Sequence, residues 1–204
     1  ASNRGLLTLV KMWPKIIEEL PDATLDISSY NSFPLYLCDN EILNIINTYP
    51  NSIKHHGKLD TKKLYDLMSK AEYWLYTTNF EETSCITAME MLMNNVICLY
   101  YPLAGLNDTL GDYGIKVESG KEIETIIGLS EKEKRKIIEN GHIHALSCTW
   151  ENRAQKWCEI FDEFHISKSI VYNLHYSYSI PRSHVNFLNE LKFIPRVIYD
   201  IGSN

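Results

Sequence analysis

The sequence has no C-x-x-C pair, and its five cysteines (Cys38, Cys85, Cys98, Cys148 and Cys158) are odd in number and scattered. That argues against a disulfide framework or a structural metal site and fits buried thiols in a reducing compartment. No uninterrupted apolar run approaches the roughly 18 residues of a membrane span. The opening ASNRGLLTLV lacks the layout of a signal peptide. The expected address is therefore the cytoplasm. Basic residues are the minority, with 20 Lys and Arg against 26 Asp and Glu and a formal net charge of −6. A protein that neutralises nucleic-acid phosphates needs the opposite balance, so general nucleic-acid binding is not expected. No G-x-G-x-x-G follows an apolar run, which argues against a dinucleotide oxidoreductase.

What is present fits a soluble globular protein. The 204 residues are 45% hydrophobic and 23% charged, enough to bury a sizeable core. Leu6, Leu7, Leu9, Val10, Trp13, Ile16, Ile17 and Leu20 recur at helical spacing and predict a helix over 4–20, with Pro14 inside it. Strands are expected at 23–28, 52–57, 73–77, 96–100 and 114–117, those at 73–77 and 96–100 buried. Helices are expected at 33–49, 61–71, 84–93, 121–127, 131–146 and 152–164, with Asp60 as the N-cap of the second. Short apolar strands alternating with helices specify an α/β fold, a Rossmann-like parallel sheet flanked by helices. Such sheets take ligands beyond the carboxyl ends of their strands, often against a helix N-terminus. That rule points to the loops around 3–5, 79–84 and 101–106.

The stretch EETSCITAMEMLMNNVICLYYPLAGL (81–106) carries two carboxylates, Glu82 and Glu90, around the start of an otherwise apolar helix. One reading makes Glu82 a favourable charge at the helix N-terminus and Glu90 part of its wet face. The other has both facing a ligand bound where strand meets helix. Met89, Met91, Leu92 and Met93 read as core, and Asp108 and Asp112 as loop acids.

Three segments, SNRGLLTLVKMWPKIIEELPDATLDI, HHGKLDTKKLYDLMSKAEYWLYTT and EETSCITAMEMLMNNVICLYYPLAGLNDTL, together resemble the donor-binding half of a GT-B glycosyltransferase. The likeness is to the retaining group with a Glu–seven residues–Glu motif. It implies a single donor-binding lobe over 1–164 that holds a nucleotide diphosphate sugar, for hexosyl or deoxyhexosyl transfer to a glycan or other hydroxyl. It assigns Glu90 to the ribose hydroxyls and Glu82, with Arg4, to the catalytic end near the transferring sugar and diphosphate. The backbone of Thr83, Ser84 and Cys85 would face the diphosphate. Gly5, His56, Ala104 and Gly105 would line the remainder, with His56 near the base. No metal and no cofactor are implied, the nucleotide sugar being the donor substrate. Lys11 and Lys58 are the further cations to consider, because many relatives carry a second basic residue where this chain has only Asn3-Arg4-Gly5.

Two departures stand out. Ser28-Ser29-Tyr30 replaces a frequent glycine, and the acceptor-binding N-terminal lobe is absent from the resemblance, as is a strand ahead of Arg4. From Tyr176 the tail resembles a linker and the opening strand of an S-adenosylmethionine-dependent methyltransferase, ending in Asp200-Ile201-Gly202. Residues 165–204 are thus expected to be a C-terminal helical and linker tail leading into a truncated second domain. The alternative function is a non-catalytic nucleotide-sugar-binding module within a larger glycosyltransferase–methyltransferase fusion.

Overall fold

A computed structural model of the chain describes residues 4–29 and 40–163. The first half of the helix expected at 33–49 and all of the expected methyltransferase-like tail lie outside the described residues. By internal contacts the chain divides into two compact units, Ala1–Ser147 and Cys148–Asn204.

In the first unit, helices alternate with short parallel strands. The order is α1 (Leu6–Glu19), β1 (Leu25–Ser28), α2 (Asn40–Thr48), β2 (Ile53–Gly57), α3 (Thr61–Met68) and β3 (Tyr73–Tyr76). It continues with α4 (Ile86–Met93), β4 (Ile97–Tyr100), α5 (Leu106–Leu110), β5 (Ile115–Lys116), α6 (Glu122–Gly128) and α7 (Glu131–Ser147). β1 pairs in parallel with β2, and β3, β4 and β5 form a second parallel sheet in that order. Pairing sets Ile27 opposite His55, Tyr76 opposite Tyr100 and Leu99 opposite Ile115.

Strand β4 shows why the sequence adopts this layering. All four of its residues are buried. Cys98 and Tyr100 join Ala88 and Leu92 of α4, Leu106 and Leu110 of α5 and Ala145 of α7 on one side. Ile97 and Leu99 join Val117 and Ile126 on the other. A strand buried on both faces has no need of alternating polar positions. The run expected at 73–77 behaves differently. Every residue of β3 is only half-buried, because among the described strands β3 lies at an edge and pairs with β4 alone. Met89, Met91 and Met93 pack on the first of these cores, as expected.

Helix α1 is a single helix with Pro14 inside it. It buries Val10, Trp13 and Ile16 against Ile27 of β1, Ile42 of α2 and Ile53 of β2. The Trp13 indole N–H donates to Ser52 Oγ at 3.0 Å, tying α1 to the start of β2. Asp60 caps α3 as expected, its carboxylate accepting from the Lys63 N–H at 2.9 Å. The sequence pattern missed α5, which is too short for its periodicity to stand out.

In the second unit, α8 (Trp150–Glu163) stacks Trp157 on Phe161 with ring centres 5.5 Å apart. No described helix is long and apolar enough to cross a membrane.

Removing a buried indole leaves a large void, so Trp13→Ala should lower stability by about 3–5 kcal/mol. Trp13→Phe, which keeps most of the ring contact and loses the donor, should cost less. Urea denaturation of both variants checks the order.

Candidate functional site

The segment that leads into the first helix and two strand-end loops meet at the carboxyl edge of the second sheet. The first leads into α1 (residues 4–5), the second follows β3 (77–85) and the third follows β4 (101–105). Two glycines let them approach. Gly5 sits in the left-handed region at φ 84°, and a β-carbon there would lie 2.4 Å from the Thr77 carbonyl oxygen. The Thr77 hydroxyl donates to the Gly5 carbonyl at 3.0 Å. At Gly105 a β-carbon would lie 2.3 Å from the Thr83 carbonyl oxygen, and the Gly105 N–H donates to the Glu82 carbonyl at 2.8 Å. Only glycine permits either contact without movement. Ala104, beside it, takes a positive φ of 46°.

These contacts bring Arg4 and Glu82 together, although they lie 78 residues apart. Arg4 Nη1 donates to Glu82 Oε1 and, at 3.0 Å, to the Tyr76 hydroxyl. Tyr76 donates in turn to Glu82 Oε1 at 2.5 Å. The Arg4 guanidinium also lies over the Phe80 ring, 4.4 Å from its centre, a favourable placement for a cation. The Glu82 side chain is only 8% exposed while Arg4 is 54% exposed, so the carboxylate is anchored and the guanidinium faces outward. Burial, with the bond to Glu82, pushes the Tyr76 phenol up to about 12, so it remains a donor at neutral pH. The bond to Tyr76 holds Arg4 further in its charged form.

The expected helix at 84–93 needs correction. α4 begins at Ile86 with extended Cys85 as its N-cap. Glu82 therefore stands in the preceding loop, held there by Gly105, Tyr76 and Arg4. Glu82 and Glu90 are not the two ends of one helix, and no carboxylate occupies the first turn of α4. The Cys85 N–H donates to Thr109 Oγ1 at 3.4 Å, while Thr83 and Ser84 are exposed ahead of the helix. Burial raises the Cys85 thiol, which suits packing rather than nucleophilic attack.

The other expected site residues stand apart from this cluster. Glu90, half-buried on α4, accepts from the Tyr65 hydroxyl of α3 at 2.9 Å. His56 Nε2 lies 2.6 Å from Asp26 Oδ1 across β1 and β2. His56 also borders a shallow pocket of about 220 Å³ with Leu59, Lys63, Asp66, Leu67 and Lys70. None of the other candidate residues lines that pocket, so it is not the centre that Arg4 and Glu82 define. Lys11 pairs with Glu41 at 3.0 Å between α1 and α2. The Tyr101 hydroxyl donates to buried Glu122 at the start of α6, whose carboxylate also accepts from the Gly120 N–H at 2.9 Å. Among the described residues no group of three or more His, Cys, Asp or Glu side chains gathers as metal ligands would.

Tyr76, Phe80 and Tyr65 were missed at the level of sequence. Tyr76 could have been found, since it ends a strand at the carboxyl edge where ligands bind. Tyr65 left no comparable signal, because its partner lies 25 residues away.

Adding one methyl at Gly105 forces the 82–83 backbone to move. Gly105→Ala should therefore lower stability by about 1–3 kcal/mol, whereas Gly120→Ala, which meets nothing within 4 Å, reports only the loss of a positive φ. Thermal and urea unfolding of the two variants compares them.

No protein-family model and no curated protein matches the sequence. Solved structures do match. The N-terminal domain of trehalose-6-phosphate phosphatase from Candida albicans aligns with a TM-score of 0.63 at 20% identity, covering 78% of this chain and 39% of that one. A glycosyltransferase from Rickettsia africae aligns with a TM-score of 0.61 at 17% identity, covering 80% and 45%. The pneumococcal O-GlcNAc transferase GtfA, solved with UDP and GlcNAc, aligns at 0.57 and 19% identity, covering 81% and 34%. The chain thus spans less than half the length of each of these proteins. The fold is the Rossmann-like α/β arrangement, parallel strands flanked by helices, that these glycosyltransferase structures contain.

Proposed function

We propose that this chain is the donor-binding lobe of a retaining GT-B glycosyltransferase, holding a nucleotide diphosphate sugar at its strand-end loops. The observation that carries the reading is the Arg4–Glu82–Tyr76 cluster, an outward guanidinium anchored where three loops meet at the carboxyl edge of a parallel sheet. A guanidinium has five N–H donors. Among the described residues both polar contacts use Nη1, so the other nitrogens can serve a phosphate while the Glu82 anchor stays in place. Thr83 and Ser84, exposed residues just ahead of α4, would add backbone N–H donors of the same sense.

In transfer, the bond between the anomeric carbon and the diphosphate oxygen breaks, and negative charge develops on the leaving diphosphate. Arg4 and the loop N–H groups stabilise that charge. Glu82 positions the sugar end and fixes Arg4, and Glu90 accepts from the ribose. Retention at the anomeric carbon follows from the resemblance. The acceptor hydroxyl belongs to a second lobe, in keeping with the limited share of the matched proteins that this chain spans. Loss of its alignment can remove up to about 7–11 kcal/mol of barrier lowering, so this chain alone should bind donor yet transfer its sugar poorly.

A thermal-shift panel of UDP, GDP, ADP and TDP with their sugars tests the reading. The pneumococcal transferase solved with UDP makes UDP the first choice. A ligand at 100 times its dissociation constant stabilises by about 2.7 kcal/mol; no shift with any of them would remove the proposal.

Arg4 and Glu82 should separate in binding assays. Arg4→Ala should weaken nucleoside diphosphate about tenfold while sparing the nucleoside, because the lost bonds are charge-assisted. Added salt should shrink that difference. Glu82→Gln removes a negative charge next to the diphosphate and should not weaken its binding, yet should slow donor turnover. Isothermal titration with donor hydrolysis measured in parallel reads both.

A further inference from the structure

Glu90 is not alone on α4. The Tyr65 hydroxyl, presented from α3, donates to its Oε1 at 2.9 Å. Tyr65 is 41% exposed and touches Glu90 across two helices that are adjacent in space but separate in sequence. An ordinary surface tyrosine gains little from such a bond. Here it fixes one oxygen of a flexible carboxylate.

We infer that Tyr65 is a positioning residue for the ribose of the bound nucleotide, acting through Glu90 and resting on the donor-binding reading above. A carboxylate offers about four lone-pair sites. Tyr65 occupies one on Oε1, which leaves Oε2 and the remaining lone pair of Oε1 for the two hydroxyls of a cis-diol. The phenol oxygen can itself accept a hydrogen from one of those hydroxyls. Holding the glutamate rotamer in advance removes entropy that binding would otherwise cost. The bond to Glu90 also raises the Tyr65 phenol, keeping it a donor at neutral pH. The pair therefore selects a ribonucleotide over its deoxy counterparts, and the selectivity needs both members.

A double-mutant cycle over Tyr65→Phe, Glu90→Gln and the double variant tests this. UDP, GDP and ADP are titrated calorimetrically beside their 2′-deoxy and 3′-deoxy forms. Tyr65→Phe keeps an exposed ring, so its thermal midpoint without ligand should match the parent. Its affinity for the ribonucleotide that binds should fall about five- to tenfold, with a smaller loss for the deoxy forms. In the Glu90→Gln background the same substitution should change affinity less than twofold. An equal loss in both backgrounds, or an equal loss for ribo and deoxy forms, would overturn the inference and leave the donor-binding reading standing. A gain in affinity would overturn it too, because Tyr65 would then compete with the ribose. If the parent chain binds none of the three ribonucleoside diphosphates, this inference is overturned; the donor-binding reading falls with it if TDP fails to bind as well, and stands if TDP binds.

Discussion

Thr77 and Gly105 hold the second-sheet loops so close together that little else about the site is free to vary. The Thr77 carbonyl occupies the space a β-carbon would need at Gly5, and its hydroxyl bonds the Gly5 carbonyl. Gly105 reaches the Glu82 backbone in the same manner. These are backbone-to-backbone approaches, which flexible side chains cannot relieve, so the loops keep one arrangement. Arg4 gains its place from the first contact and Glu82 from the second. Their ion pair is a consequence of the loop packing rather than its cause, since one partner is more than half exposed and such pairs contribute little stability by themselves.

The same packing settles the electrostatics. With Glu82 nearly buried, its charge has to be met locally, and Arg4 and the Tyr76 phenol do so. Arg4 is then held by a carboxylate and a phenol on one side and by the Phe80 face on another. A guanidinium held on several sides loses less freedom when a phosphate arrives than a lysine on a loose stem would. A protein of net charge −6 has no broad positive field, so under the proposed function the attraction of an anionic donor has to be local and geometric.

The sequence was most legible where one residue's environment follows from its immediate neighbours. Strand β4 could be read because both of its faces are apolar, and the Asp60 cap because its partner is three residues away. The start of α4 was placed two residues early because nothing within 84–93 shows that Cys85 will stay extended as the N-cap. The half-burial of β3 was misread for a similar reason, since an edge position depends on which strands pair and not on the strand's own residues. Arg4, Glu82, Gly5 and Gly105 were all singled out, but the reason for the glycines changed. They admit neighbouring backbone, whereas a ligand had been expected there. Tyr76, Phe80 and Tyr65 owe their importance to pairings across the fold, which spacing along the chain cannot encode.

The two glutamates that raised the question of a ligand differ in a way that assigns them different work. Glu82 is buried, tied to a cation and a phenol, and fixed from its own backbone. Glu90 is half-buried, uncapped by any described cation, and bonded to a single neutral hydroxyl. A carboxylate already satisfied by Arg4 is suited to organising a charged partner and has little capacity left to bind a neutral diol. A carboxylate with most of its lone pairs open is suited to accept hydroxyl protons and has no nearby cation with which to share a phosphate. Under the proposed function, the diphosphate end of the donor would lie at Glu82 and Arg4 and the ribose hydroxyls at Glu90. That division rests on the surroundings of the two side chains and does not require them to be the two ends of one helix.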